Sequence, residues 1–201
     1  MSQPRTRKSS VDRKAEIVDS AIRLSATIGP DRVTTQHLAD AVGVTQPAIF
    51  RHFATKTDIW AAVGVRIVDE MQALHSHPVV IAQDDPHDRL KQLVGRHFVH
   101  IEGQPAIPAI LFSRELHAEN EPLRSRFSEY FAVKGAEFTR LITAAQAAGI
   151  HHAEIAAEDA AHLVTSAMQG ISLRWLLDNQ SFSLVDEGGR VIGGLIDSFR
   201  A

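Results

Sequence analysis

Apolar side chains recur every three or four residues along nearly the whole chain, and the strict alternation typical of strands is almost absent. The first segment with this period runs from Asp12 to Ile28, where Gly29 and Pro30 end it. The last segment follows Ser183 and repeats apolar residues at i, i+4 and i+7 as far as Phe199. The spacing therefore predicts an all-α protein of about nine helices.

Capping residues and prolines divide the chain between these ends into further helices. We predict helices from Thr34 or Thr35 to Val42, Gln46 to about Phe53, Thr55 to about Leu74, Asp85-Pro86 to the break at Gly103-Gln104-Pro105, Ala106 to His117, Asn120 to Ala148 and Ala156 to Asn179. The helix after Thr55 opens with the sequence of a capping box, in which Asp58 is the third helical residue. The stretch from His75 to Pro86 contains Pro78 and is predicted to be a loop.

Charge is divided unevenly along the chain. Residues 1–60 carry nine Lys or Arg and six Asp or Glu, which gives +3, whereas the remainder carries −6. The first residues form a polar, basic arm that includes Arg5, Arg7 and Lys8. This asymmetry favours an amino-terminal part that meets nucleic acid, carried on an acidic body. A solvated tail without a specific partner is the open alternative.

Composition excludes several classes of protein. The chain has 201 residues, of which 44% are hydrophobic, and it contains no cysteine, so disulfides and thiolate chemistry are excluded. No apolar run approaches membrane-spanning length, and the first twenty residues lack the apolar core of a signal peptide. We therefore expect a cytoplasmic protein without a membrane segment.

Catalytic and metal-binding patterns are also missing. The sequence has no Gly-x-Ser-x-Gly elbow and no phosphate-binding glycine loop. Eleven histidines include the pairs His97 and His100, and His151 and His152, but no zinc-type spacing. We expect no enzymatic activity, no cofactor and no functional metal site.

Two short predicted helices joined at Gly43 have the spacing of a helix-turn-helix. The glycine suits the positive φ of a tight turn. The small apolar contacts between the two helices are expected from Leu38, Ala39, Val42, Val44 and Ile49. The second helix would lie in a major groove with its first residues at the base edges.

Taken whole, the segment from Thr34 to Lys56 resembles the amino-terminal domain of the tetracycline-repressor (TetR) family. The points of similarity are Thr-x-x-x-Leu-Ala, Gly-Val-Thr, an aromatic-x-His-Phe run and the lysine that opens the fourth helix. The resemblance covers about a quarter of the chain. It implies a helix-turn-helix domain over residues 1–55 and a larger helical ligand-binding and dimerisation domain over residues 56–201.

The resemblance also implies a set of DNA contacts, which are Thr35, Thr45, Gln46, Pro47, Ala48, Arg51, His52 and Lys56. Thr35 and Thr45 are expected to cap helices and reach phosphates, and His52 and Lys56 to hold the DNA backbone. Gln46 is the expected base reader, because its amide can pair bidentately with adenine.

The apolar residues between Thr45 and Thr55 have different expected roles. Pro47 and Ala48 offer apolar contact, suited to a thymine methyl. Phe50 stands where the family usually has tyrosine, which removes a hydroxyl that would donate to phosphate. We expect Phe50 and Phe53 to belong to the core.

The larger domain is expected to hold an inducer cavity among its helices. The candidate lining consists of His97, Phe98, Phe112, Phe127, Phe131, Phe138, Met168 and Trp175. These residues suggest an apolar or amphipathic small molecule, with plain core packing as the alternative for each of them. His97 stands out because it is polar on an otherwise apolar face.

The resemblance implies dimerisation through the last two helices. The predicted helix from Ala156 to Asn179 is apolar on more than one side and the last one carries an apolar stripe, which fits a homodimer that uses both of them. The candidate interface residues are Leu173, Leu177, Ile192, Leu195, Ile196 and Phe199. A monomeric core is the alternative.

The sequence thus predicts a ligand-responsive transcriptional repressor. It would bind a palindromic double-stranded DNA operator as a homodimer and leave it when a small-molecule inducer binds. Two alternatives stay open: a DNA-binding protein of the same fold that is regulated by a protein partner, and a small all-α enzyme with an accidental helix-turn-helix pattern.

Overall fold

The computed structural model of the protein describes residues 9–76 and 83–201. These residues form ten α-helices: α1 (Ser10–Ile28), α2 (Thr35–Val42), α3 (Gln46–Phe50), α4 (Lys56–His75), α5 (Pro86–Gly103), α6 (Ala106–Leu111), α7 (Arg114–Glu119), α8 (Glu121–Ala147), α9 (Ala157–Leu177) and α10 (Leu184–Asp197). No strand occurs in this part of the chain, so the predicted all-α class is confirmed. The basic arm with Arg5, Arg7 and Lys8, and Pro78 of the predicted loop, lie outside the described residues.

Side-chain caps begin several of the helices where the sequence predicts them. The capping box of α4 is present: the Thr55 hydroxyl accepts from the Asp58 amide at 3.1 Å, and the Asp58 carboxylate accepts from the Thr55 amide at 2.9 Å. The carboxylate of Asp85 likewise accepts from the amides of His87 and Asp88 at the start of α5. These bonds satisfy amides that have no partner inside the helix.

Two predicted helices differ from the structure. The single helix predicted from Ala106 to His117 is interrupted after Leu111, because Ser113 leaves the helical path and its hydroxyl caps α7 through the Leu116 amide. This interruption accounts for a tenth helix where about nine were expected. The recognition helix α3 ends at Phe50 rather than Phe53, although the Phe53 amide still donates to the Ile49 carbonyl at 3.1 Å.

One continuous apolar core runs through the described residues. Helix α4 joins its two ends, because α4 contacts α1 on one side and α8 on the other. The largest fully buried side chains include Trp60 on α4, Phe98 on α5 and Phe138 on α8. None of the helices in residues 9–76 and 83–201 is both long enough and apolar enough to cross a membrane.

The helix-turn-helix region is also tied to the larger part of the chain by polar contacts. The Ser113 hydroxyl donates a short hydrogen bond to the carboxylate of Asp31, which lies in the 3₁₀ turn after α1. The guanidinium of Arg66 on α4 pairs with Asp19 on α1 at 3.7 Å. Helix α6 also packs against α1. A shift of α4, α6 or Ser113 would therefore displace α1 or the 3₁₀ turn that contains Asp31.

Candidate DNA-binding surface and interior cavity

A tight turn sets α3 across α2. Gly43 ends α2 in the left-handed region with φ of 68°, and the amide of the next residue, Val44, donates to the Ala39 carbonyl at 2.9 Å. Leu38, Ala39 and Ile49 are fully buried between the helices. The small residues named from the sequence therefore fix the two helices against each other, as predicted.

Burial of one side of α3 leaves its other side exposed. Ala48 and Ile49 face the core, whereas Gln46, Pro47 and Phe50 are exposed. Gln46 and Phe50 lie one turn apart and share a face. The side-chain amide of Gln46 donates to the Thr35 hydroxyl at 2.6 Å, so the first residues of α2 and α3 are linked. The exposed start of α3 has the form of a recognition helix.

Three details of this surface differ from the sequence prediction. Ala48, expected to contact a base, is only 5% exposed, so its methyl packs in the core. Phe50 is 44% exposed and does not belong to the core, unlike the buried Phe53. Thr34 and not Thr35 caps α2, since the Thr34 hydroxyl accepts from the His37 amide at 3.1 Å.

The remaining candidate contacts lie around α3. Thr45 occupies the capping position of α3, but its side chain makes no capping hydrogen bond. Arg51 is exposed directly after α3, and Lys56 is the half-buried first residue of α4. The His52 Nδ1 atom lies 3.4 Å from the Ser10 hydroxyl at the start of α1. These side chains therefore lie at the two ends of α3 and at the start of α4.

A small cavity lies inside the larger part of the chain, among α4, α5, α6, α8 and α9. It is lined by Met71, His97, Ile101, Pro108, Leu111, Phe112, Phe131, Lys134, Met168, Gln169 and Ser172. Its volume is about 10 Å³, which is enough for about one water molecule. Four of the eight predicted lining residues take part: His97, Phe112, Phe131 and Met168.

The other four predicted lining residues pack elsewhere in the core. Phe98, Phe127, Phe138 and Trp175 are all buried and do not line the cavity. The indole N–H of Trp175 donates to the Phe182 carbonyl at 2.9 Å, which holds the ring against the loop before α10. In this structure the four side chains belong to the packed core, which was the alternative stated for each of them.

His97 was predicted to be a polar lining residue, but the polar side of the cavity also includes Lys134, which was not predicted from the sequence. Lys134 on α8 is only 3% exposed, and burial lowers the pKa of its ammonium to about 7. His97 on α5 is 9% exposed, and burial and then the charge of Lys134 hold the pKa of its imidazole well below the usual range. Lys134 lies three residues after Phe131 and four before Phe138, and this position on an apolar stripe was the available signal.

The predicted dimer interface divides into two groups. Ile192, Ile196 and Phe199 are buried in the core of the single chain, so they cannot also form the surface that meets a partner. Leu177 is 71% exposed, and Leu163 on α9 and Val191 on α10 are exposed too. Leu173 and Leu195 are half-buried. The candidate interface therefore shifts to the outer side of α9 and α10.

Two of the buried histidines, His87 and His151, contact each other. His87 Nδ1 lies 2.9 Å from His151 Nε2, and His87 Nε2 lies 3.0 Å from the Asp197 carboxylate, which Lys91 also contacts at 2.8 Å. This chain of contacts joins the start of α5 to the end of α10. Within the described ranges no three His, Asp or Glu side chains are arranged to hold a metal ion.

A helix-turn-helix whose inner face is packed and whose second helix is exposed at its start, followed by a larger all-α domain, is the architecture of a class of DNA-binding regulators. The model of the TetR family of bacterial regulatory proteins matches residues 17–63. A second model, the YsiA-like protein C-terminal region, matches residues 67–198. Because this second match covers more than half of the chain, the protein belongs to the TetR family of transcriptional regulators.

Curated relatives and solved structures agree with this assignment. The nucleoid occlusion factors SlmA of Vibrio atlanticus and Marinobacter nauticus are 32% identical over 127 residues and 31% identical over 119 residues. These alignments cover 63% of each chain in the first case, and 59% of this chain and 60% of the relative in the second. The chain thus spans about three fifths of the length of these relatives.

Two solved structures share the fold over nearly the whole chain. A TetR regulator from Haloarcula marismortui has a TM-score of 0.80 at 19% identity, covering 95% of this chain and 100% of that one. FadR from Bacillus subtilis, solved in complex with stearoyl-CoA, has a TM-score of 0.77 at 18% identity, covering 93% and 99%. At these identities the likeness shows the fold alone.

Proposed function

We propose that this TetR-family regulator is a ligand-responsive repressor that binds a palindromic operator as a homodimer. The observation that carries the proposal is the exposed start of α3, where Gln46 is held by Thr35 while Ile49 anchors the helix in the core. A rigid helix with a polar side chain fixed at its first turn is suited to reading base edges in a major groove.

The residues around α3 have separate roles in this proposal. Gln46 reads a base, while Thr45, Arg51, His52 and Lys56 contact phosphates and set the position of the helix. Pro47 is proposed to contact a thymine methyl, as expected from the sequence. The exposed Phe50 is a second candidate for such a contact. The arm at residues 1–8 remains a proposed phosphate contact.

Dimerisation is proposed through the outer side of α9 and α10. Leu163, Leu177 and Val191 expose apolar surface there, and covering such surface stabilises an assembly. In a homodimer the two α3 helices would lie about 34–36 Å apart and enter successive major grooves of a palindromic site.

Coupling between ligand and DNA is proposed to run through α6. Pro108 and Leu111 of this helix line the cavity, and Ser113 just beyond it bonds to Asp31 beside α1. A ligand that enlarges the cavity would displace α6 and with it the contact to the DNA-binding domain. Such a ligand favours a conformer whose α3 helices are wrongly spaced, and by linkage DNA weakens the ligand by the same factor.

Two observations favour a second candidate, a DNA-binding protein whose larger domain contacts a protein partner. The cavity of about 10 Å³ is too small for a metabolite without rearrangement, and the curated relatives are nucleoid occlusion factors. Exposed Leu163, Leu177 and Val191 would then meet that partner instead of a second copy.

The two candidates can be separated by recovering genomic DNA fragments bound to the purified protein, followed by release assays. The repressor proposal predicts a few strong sites upstream of genes, from which a small molecule displaces the protein. Many sites spread across the chromosome, with no displacement by any tested metabolite, would support the partner-regulated candidate.

A further inference from the structure

Lys134 is a buried cation without an anionic partner. Its side chain is 3% exposed and lines the cavity, and its Nζ atom lies 5.4 Å from the centroid of the Phe138 ring. Among the residues that the structure describes, no carboxylate lies within salt-bridge distance of Nζ, and no hydrogen bond to it is formed. A buried ammonium without a counter-ion is unfavourable, so its place in the cavity calls for an explanation.

A second nitrogen-bearing side chain lines the same cavity from another helix. His97 on α5 also lines the cavity, and its Nδ1 atom is buried without a hydrogen-bond partner. The polar residues that α9 contributes, Gln169 and Ser172, are uncharged, and the Ser172 hydroxyl already donates to the Met168 carbonyl at 2.8 Å. The cavity thus has two nitrogen atoms suited to an anion and no carboxylate of its own.

The carboxylate whose charge acts on Lys134, that of Glu137, is hydrogen-bonded to another residue. Glu137 lies on α8 with Lys134, but its carboxylate forms a short bond with the imidazole of His75 on α4. This bond keeps Glu137 ionised, since it is one of the causes that lower the pKa of its carboxyl. Glu137 therefore raises the pKa of Lys134 only through its charge at a distance and forms no ion pair with it.

Taking the ligand-responsive function above as its basis, we propose that the cavity binds a monocarboxylate with an apolar body. The carboxylate accepts hydrogen bonds from Lys134 Nζ and His97 Nδ1, while the apolar part packs among the remaining lining residues. One negative charge matches the single cation available, whereas a dianion such as a phosphate monoester would leave a buried charge without a partner.

Room for the apolar part comes from side chains that can move. Met71 and Met168 line the cavity, and methionine side chains repack with little cost because they have three rotatable bonds. Phe112 and Phe131 are half-buried, so they mark the side from which a ligand enters. Displacing them also presses on Pro108 and Leu111 of α6, the helix proposed to carry the signal.

Binding of an anion would be coupled to a proton. Burial lowers the pKa of Lys134 to about 7 in the free protein, so most of the amine is neutral at pH 8. The groups facing it are His97 from α5, Glu137 on α8 with its partner His75 from α4, and only uncharged side chains from α9. A bound carboxylate raises the pKa of Lys134, so binding takes up a proton at pH 8 and almost none at pH 6.

The test is calorimetric titration of the full-length protein, without DNA, with butanoate, octanoate, dodecanoate, benzoate and phenylacetate, each beside its neutral primary amide. We expect at least one carboxylate to bind about tenfold or more tightly than its amide. At pH 8, titrations in buffers of different ionisation enthalpy should show uptake of nearly one proton.

Variants separate the role of Lys134 from a general effect of charge. Lys134→Met should weaken the carboxylate about tenfold or more and abolish proton uptake, while the amide should bind nearly as before. Lys91→Met, which removes an exposed lysine paired with Asp197, should change neither. A thermal unfolding transition for each variant confirms that it is folded.

Equal affinity for carboxylate and amide, an unchanged carboxylate affinity in Lys134→Met, or no binding by any of the five carboxylates would overturn the proposal. DNA release is measured separately, by adding the bound carboxylate to the protein–operator complex. A carboxylate that binds through Lys134 but leaves the operator complex intact would support the carboxylate site. It would contradict the proposal that ligand binding releases the protein from DNA.

Discussion

The side-chain amide of Gln46 donates a hydrogen bond to the hydroxyl of Thr35 over 2.6 Å, which joins the first residues of α3 and α2. The bond fixes the side chain of the expected base reader before DNA is present, so less conformational entropy is lost on binding. It uses one amide hydrogen and leaves the second hydrogen and the carbonyl oxygen, which are the donor and acceptor that a bidentate contact with adenine requires.

Gln46 and Lys56 should respond differently to truncation. Gln46→Ala should cost about 1–3 kcal/mol of binding to the operator and relax the base preference at one position of each half-site. Lys56→Ala should weaken operator and random DNA alike, because a phosphate contact carries no sequence information. Fluorescence anisotropy on operator, single-mismatch and random duplexes measures both effects. Equal loss on operator and random DNA for Gln46→Ala would show that it does not read a base.

Leu177 is the sharpest probe of the proposed dimer. Leu177→Glu would place a charge without a partner in the interface and should weaken dimerisation by several kcal/mol. Val65→Glu is a matched control, because Val65 is also an exposed apolar residue but lies on α4. Analytical ultracentrifugation should find monomers for the first variant and dimers for the second. If Leu177→Glu is still a dimer at low micromolar concentration, the interface does not include Leu177.

The contact between α10 and α5 can be tested with two neighbouring glycines. A Cβ atom at Gly188 would lie 3.0–3.2 Å from three carbons of the fully buried Phe98 ring, whereas one at Gly189 would meet nothing within 4 Å. Gly188→Ala should therefore destabilise the fold by about 1–3 kcal/mol, and Gly189→Ala should stabilise it by up to about 1 kcal/mol. Urea unfolding gives both values. Stabilisation by both substitutions would contradict this packing.

Lys134 should leave a signature in the pH dependence of stability. The pKa of its side chain is about 7 in the folded protein, whereas the ordinary pKa of a lysine, taken for the unfolded chain, is 10.5. Between these values the unfolded chain binds more protons, so the stability contributed by Lys134 rises with pH through this window and is lowest at or below pH 7.

Lys134→Met removes this titration and should stabilise the fold most at pH 7 and below. The difference in unfolding free energy between wild type and variant should shrink by up to about 1.4 kcal/mol per pH unit above pH 7. Urea unfolding at pH 6, 7, 8 and 9 checks the slope, and taking the difference removes groups common to both proteins. A constant difference over that range would mean that Lys134 is not buried as a free amine.

The helices and the helix-turn-helix were predictable because their signals are local. The Thr55 and Asp58 box lies within four residues, and the segment from Thr34 to Lys56 is contiguous in the sequence. The break between α6 and α7 was not predictable, because no glycine or proline marks it. Its cause is the Ser113 cap, whose hydroxyl also reaches Asp31 at a distant point of the chain.

The interior site was less predictable, because helical period shows which residues are apolar but not which partner buries them. Ile192, Ile196 and Leu177 all lie on apolar stripes, yet the first two pack in the chain's own core and the third is exposed. Lys134 lies on such a stripe as well. A lysine there usually extends its ammonium to solvent, and only the packing of α5, α8 and α9 around it keeps it inside.

The central claim, that a dimer of this protein reads a specific DNA sequence through α3, is tested most directly by selection from a random duplex library. We expect enrichment of an inverted repeat whose half-sites are centred about one helical turn, 10–10.5 base pairs, apart. We also expect Gln46→Ala to select the same repeat with one degenerate position in each half. A library that shows no enriched motif after selection, or only a single half-site bound by monomers, would contradict it.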